Sequence, residues 1–151
     1  MKSMLKGGFV AALGASIALN AWFSYPAHAQ ETGAGHPILG AWYKALEEAN
    51  VEKLEELMAP EAVQPFQYEI TDLGISQSRS EFIDSMAEWV GAIDGGTITY
   101  KITASQASTV TTLVCYQFPD SNFLAEELVE LRDQKIIGIK QAGKSDNCEA
   151  F

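Results

Sequence analysis

The sequence predicts an α+β domain in which helices come first and an antiparallel sheet follows. Three observations predict it. Apolar residues recur at helical spacing from residue 37 to 58 and again from 79 to 93. From residue 97 the apolar period falls from 3.6 to 2. The strand-like runs beyond that point are separated by turns too short for a crossover, so neighbouring strands must run antiparallel.

The chain opens MKSMLKGG, basic and without an acid, followed by an apolar run from Phe9 to Phe23 and the small-x-small sequence Ala27-His28-Ala29. That is the pattern of a cleaved signal peptide over residues 1–29. The apolar run holds Gly14, Ser16 and Asn20 and falls short of the ~20 residues that a membrane span needs. No membrane insertion is expected after cleavage, and secretion to an oxidising space such as a bacterial periplasm follows. The remaining 122 residues suit one domain. All 20 acids but only 8 of the 10 Lys and Arg lie beyond residue 29, leaving a net charge near −12. Such a surface repels nucleic-acid phosphates, so no nucleic-acid partner is expected.

Residues 30–36 form a polar, glycine-containing lead. Pro37 suits the first turn of a helix, and Ile38, Trp42, Ala45, Leu46 and Ala49 then follow at helical spacing. A second short helix covers Val51 to Met58, with Val51, Leu54, Leu57 and Met58 inward, and Pro60 ends it. Ala62 to Ile70 is extended, with Pro65 pointing to an edge or bulge. Ser78-Arg79-Ser80-Glu81 has the form of a capping box and opens a third helix whose inner face is Phe82, Met86, Trp89 and Ile93.

Strands then follow. In Thr97–Ala104, Ile98, Tyr100, Ile102 and Ala104 alternate with polar residues. In Thr109–Phe118, Val110, Thr112, Val114, Tyr116 and Phe118 share one face, while Leu113 and Cys115 take the other. Pro119 to Asn122 makes a turn, Phe123 to Leu131 is a third strand, RDQK reverses the chain and Ile136 to Gln141 completes the series. The domain runs over residues 37–142, and 143–151 is a polar tail.

Cys115 and Cys148 both survive cleavage. A nucleophile wants a neighbouring base, and the only histidine left is His36, before the first helix. A metal wants three or four ligands, which the histidine and cysteine total cannot easily supply. In an exported chain the favoured reading is a disulfide that pins the tail to a core strand, contributing about 3–4 kcal/mol, with free buried thiols as the alternative.

WYKALEEANVEKLEELMAPEAV, SRSEFIDSMAEW and LVELRDQKIIGIK resemble the opening helix pair, third helix and terminal hairpin of the NTF2-like (SnoaL-like, cystatin-like) superfamily. Gln134 stands where that hairpin usually carries glycine. The resemblance covers Ile38 to Gln141 and implies an NTF2-like cone, three N-terminal helices packed on a curved antiparallel sheet with a pocket at its open end. It also implies a homodimer formed through the outer face of the sheet. The family includes ketosteroid isomerases, polyketide cyclases, epoxide hydrolases and dehydratases, and many members that only bind a ligand or a partner.

In the isomerase branch a tyrosine on the first helix and an acid on the penultimate strand donate hydrogen bonds to developing negative charge, and a carboxylate after the second helix moves the proton. By resemblance, Tyr43 matches the first, Glu127 or Glu126 falls near the second, and the base position lies close to Phe66, which is no base. Glu69 could serve only if the register slips. The dehydratase branch wants pocket histidines, and His36 is badly placed. The epoxide-hydrolase relay wants Asp–Arg–Asp, and Arg79 and Arg132 sit at a helix cap and a turn. Trp42, Tyr43, Tyr68, Trp89, Tyr100 and Tyr116 are the candidate ligand-binding residues, aromatic bodies with polar tips that suit a mostly apolar molecule. Glu126, Glu127 and Glu130 read as solvated or interface acids.

The sequence therefore favours an exported NTF2-like domain that binds a small, mostly apolar ligand or a protein partner without catalysis, with no cofactor and no metal. The alternatives are a lyase, isomerase or cyclase using Tyr43 with Glu69 or Glu127, and a structural protein whose cone is filled by its own aromatics.

Overall fold

The structure, a computed structural model, describes residues 36–151. The expected signal sequence (residues 1–29) and the lead as far as residue 35 lie outside the described residues.

Helix α1 spans Pro37–Glu47, with proline at its first turn, where a missing N–H costs nothing. It ends two residues before Ala49. That residue takes a left-handed φ of 49°, while the Ala49 and Asn50 amides donate back to Leu46 and Ala45. This is a Schellman stop with alanine where glycine is usual. Asn50 then caps α2 (Val51–Leu57), its Oδ1 accepting from the Lys53 amide at 3.0 Å.

The segment expected to be extended from Ala62 instead turns first, because the Val63 and Gln64 amides fold back onto the Pro60 carbonyl. Strand β1 covers only Gln67–Ile70. It forms a hairpin with β2 (Ile75–Ser78), a strand absent from the sequence-based expectation, since ISQS carries a single apolar residue and shows no period. Gly74, at φ 64°, makes the turn. Ser78 closes β2 and caps α3 (Arg79–Ile93) in the expected capping box, with Glu81 accepting from the Ser78 amide at 2.8 Å. Strands β3 (Thr97–Ser105), β4 (Thr109–Gln117), β5 (Asn122–Arg132) and β6 (Lys135–Ser145) complete the chain.

The sheet has six strands in the order β2-β1-β6-β5-β4-β3. It is mixed rather than wholly antiparallel, because β1 pairs with β6 in parallel, from Gln67↔Gly138 to Ile70↔Gln141. The paired positions Gln67 and Gly138 are 71 residues apart, so no tight turn dictates their direction. All three helices precede the four long strands, with the β1–β2 hairpin set between α2 and α3.

The helices cover one face of the curved sheet. Trp42 stacks on Phe82 with ring centres 5.6 Å apart, and Leu39, Leu54, Phe66, Val129 and Ile139 are fully buried around them. Each such side chain contributes about 1.5–3 kcal/mol. Two polar ties fix the helices: the Trp89 indole donates to the Leu46 carbonyl at 2.7 Å, and Glu47 accepts from the Ile98 amide at 2.7 Å. On the outer face, Cys115 and Cys148 are bridged, with Cα atoms 5.7 Å apart. The bridge holds the tail against the sheet, where Lys101 lies 5.0 Å over the ring of Phe151.

Candidate functional site

Three polar residues stand side by side on the inner face of the sheet. Thr112 of β4 is paired in register with Glu127 of β5, and Glu127 with Gln141 of β6. All three are buried, Glu127 to 1% exposure. Tyr43 reaches this row from α1 and Tyr116 from further along β4.

Every contact around Glu127 supplies a hydrogen-bond donor. Its Oε2 accepts from the Tyr43 hydroxyl at 2.9 Å, and its Oε1 accepts from the Tyr116 hydroxyl and from Gln141 Nε2, the latter at 2.8 Å. With the Tyr43 proton so used, Thr112 Oγ1 at 2.7 Å donates to the Tyr43 oxygen. No Lys, Arg or His among the described residues forms an ion pair with Glu127. Burial raises the Glu127 carboxyl above its ordinary range, and hydrogen bonds from Tyr116, Gln141 and Tyr43 oppose that rise. Burial, then the negative charge of Glu127, push the hydroxyls of Tyr43, Tyr68 and Tyr116 well above the usual tyrosine value.

Beside this network opens a pocket of about 340 Å³ between α3 and the inner face of the sheet. Its walls are mainly aromatic, formed by Tyr68, Phe82, Trp89, Tyr116, Phe118 and Phe123. Trp89 stands nearly perpendicular to Tyr116 and Phe118, which lie parallel to each other. Tyr116, Gln141 and Tyr68 bring polar atoms to the lining, whereas Glu127 does not line the pocket and sits behind Tyr116 and Gln141. Glu88 lies at the wall on α3.

Of the expected ligand-binding residues, Tyr68, Trp89 and Tyr116 line the pocket. Trp42 and Tyr43 do not: Trp42 is packed against Phe66 and Phe82 in the core, and Tyr43 is 2% exposed beneath the network. Tyr100 packs on Tyr43 at 4.4 Å and is also not part of the lining. Glu69 is half-buried and away from the pocket. Of the two readings of Glu127, a solvated or interface acid and a candidate beside Tyr43, the solvated one is corrected: it is 1% exposed and in contact with Tyr43. Glu126 and Glu130, on the opposite face of β5, pair with Lys144 and Lys140 at the surface.

Thr112, Gln141, Phe82, Phe118 and Phe123 were not singled out as functional residues. A signal for Glu127 was present, since Phe123, Ala125, Val129 and Leu131 share its strand parity and all face inward. Leu124 and Leu128 on the other face obscured it. Gln141 carried no comparable signal, being the last residue of its expected strand. Among the described residues no three His, Cys, Asp or Glu side chains are grouped to hold a metal.

No family model and no curated protein matches the sequence. Solved structures match its fold. A candidate ketosteroid isomerase from Kribbella flavida superposes with a TM-score of 0.58 at 13% identity, covering 77% of this chain and 82% of that one. An NTF2-like protein of unknown function from Burkholderia xenovorans gives 0.60 at 15% identity, over 76% and 84%. IdmH, a candidate polyketide cyclase from Streptomyces antibioticus, gives 0.59 at 15% identity, over 71% and 89%. The fold of this chain is the NTF2-like, ketosteroid-isomerase-like fold. At these identities the likeness concerns architecture alone.

Proposed function

We propose that this domain binds a small, largely apolar molecule in the aromatic pocket and does so without chemistry, in the oxidising compartment to which its signal sequence directs it. The observation that carries this reading is the pocket of about 340 Å³, walled by six aromatic rings, with its carboxylate withheld behind Tyr116 and Gln141. An open space of this size leaves a ligand somewhere to sit, and it argues against a cone filled by its own side chains. A general base must come within hydrogen-bond reach of the proton it removes. Three donors occupy three of the roughly four acceptor directions of Glu127, and the carboxylate does not line the pocket. The Cys115–Cys148 bridge supports an oxidising compartment.

The test is native mass spectrometry of the processed protein purified from an exporting host, beside the Ala92→Trp variant. Ala92 lines the pocket from an exposed position on α3, so a large side chain there blocks the space without entering the core. The expected result is a co-purifying small molecule on the parent protein and none on the variant, with equal melting temperatures. Ligand retained on Ala92→Trp would place the binding site elsewhere.

One observation favours a second reading. Tyr43 and Glu127, the residues that the family resemblance pairs as hydrogen-bond donors, are in contact, and the carboxyl is raised by burial. This would be an isomerase, lyase or cyclase in which Glu127 acts through Tyr116. Turnover of the co-purified molecule that vanishes in Glu127→Gln while its binding persists would establish that activity in place of simple binding.

A further inference from the structure

At the polar end of the pocket Tyr116 accepts hydrogen bonds rather than donating them. Tyr116 has one hydroxyl proton, and it points at Glu127 Oε1, which also takes one N–H of Gln141. That assignment holds with Glu127 ionised, the state in which it supplies a counter-charge. Towards the pocket Tyr116 therefore presents only lone pairs. Gln141 presents its carbonyl oxygen and one remaining N–H, and the Tyr68 hydroxyl has no hydrogen-bond partner among the described residues. A ligand head rich in donors fits this end best.

Charge points the same way. Glu127 is held by neutral donors alone, facing Tyr43 from α1, Tyr68 from β1, Tyr116 and Thr112 from β4 and Gln141 from β6, with no cation among the described residues. A positive group in the pocket would be separated from this carboxylate by one side chain, where attraction at an effective dielectric of about 20 remains substantial. Six aromatic rings line the same space, and a cation over the face of any of them is attracted by its quadrupole. Glu88 on α3 and the acidic surface add attraction at the mouth.

We propose that the ligand of this pocket is an organic cation, a protonated amine on an apolar body, whose N–H groups donate to Tyr116, Tyr68 and Gln141 while Glu127 supplies the counter-charge from behind. The proposal rests on the ligand-binding reading above and names its ligand class.

The test measures binding of three probes of similar size and different charge by calorimetry: 2-phenylethylammonium, 2-phenylethanol and 3-phenylpropionate. The ammonium is expected to bind about tenfold or more tighter than the alcohol, with the carboxylate weakest. Its affinity should rise with pH through the ionisation of Glu127 and then level off, whereas that of the alcohol should stay flat. This series needs only the parent protein. In Glu127→Gln the preference for ammonium over alcohol should fall to about twofold or less, and in Glu88→Gln it should persist. Equal or tighter binding of the alcohol or the carboxylate would overturn the proposal and leave the ligand-binding reading standing. Loss of the preference in Glu88→Gln alone would overturn it too, by moving the recognition to the rim. No binding of any probe would overturn both.

Discussion

The Tyr43 hydroxyl lies 2.9 Å from Glu127 Oε2, across a separation of 84 residues. One is on the first helix and the other on the fifth strand, and neither is reached by water. This contact joins the helical layer to the sheet at the one place among the described residues where an acidic side chain is fully buried. Tyr43→Phe removes a donor from a buried carboxyl and leaves the Thr112 hydroxyl only the Glu127 backbone carbonyl, at 3.5 Å, to donate to. The expected cost is about 1–3 kcal/mol in urea unfolding. An unchanged midpoint would mean that Glu127 is already satisfied without Tyr43.

Glu127 should also leave a signature in the pH dependence of stability. Burial raises its folded-state value above that of the unfolded chain. Below the unfolded value both states are protonated, and the carboxyl costs nothing. Between the two values the folded state holds the extra proton, so stability falls as pH rises. Above the folded value the penalty is complete, at about 1.4 kcal/mol for each unit by which the two values differ. Unfolding curves for the parent and Glu127→Gln should therefore diverge as pH climbs from the ordinary carboxylate range through the raised value, with the variant gaining relative stability. Parallel pH profiles would show that the carboxyl is not raised.

The Cys115–Cys148 bridge ties an exposed tail to a buried position on β4. Replacing Cys148 by serine is expected to cost about 3–4 kcal/mol and to open residues 146–151 to proteolysis. The parent protein, denatured without reductant, should weigh two hydrogens less than its reduced form. Equal masses would mean free thiols.

Two turns place ordinary side chains in the left-handed region. Ala49 ends α1 at φ 49°, and Gln134 lies at φ 61° in the β5–β6 hairpin. Ala49→Gly and Gln134→Gly should each stabilise the fold by about 1 kcal/mol, since glycine adopts this conformation without a steric penalty. Thermal unfolding of the single variants checks this, and a lower melting temperature for either would contradict the strain account.

The inner face of β4 was legible from Thr109–Phe118 because its alternation is clean, and the capping box of α3 because Ser78 and Glu81 are three residues apart. Both depend on neighbours along the chain. The order α–α–β–α–β, the end of α2 near Pro60 and the β5–β6 reversal belong to the same class. Strand β2 was not legible, since ISQS has one apolar residue and is held as a strand only by β1 beside it. The parallel pairing of β1 with β6 was invisible for a similar reason, as nothing local to either strand specifies a partner so distant in sequence.

The sequence by itself determined the elements other than β2, the cysteine pair available for a bridge, the acidic charge and the aromatic supply of the pocket, because each depends on residue type and short-range spacing. Tertiary structure alone decided what Glu127 is. On its own strand it is one of three acids in EELVE, two of which face outward to lysines. Only the register of three strands sets it between Thr112 and Gln141, and only the packing of α1 and the neighbouring aromatics excludes water. A carboxylate is a surface charge or a buried site according to the solvent around it, and that is settled by what folds over it.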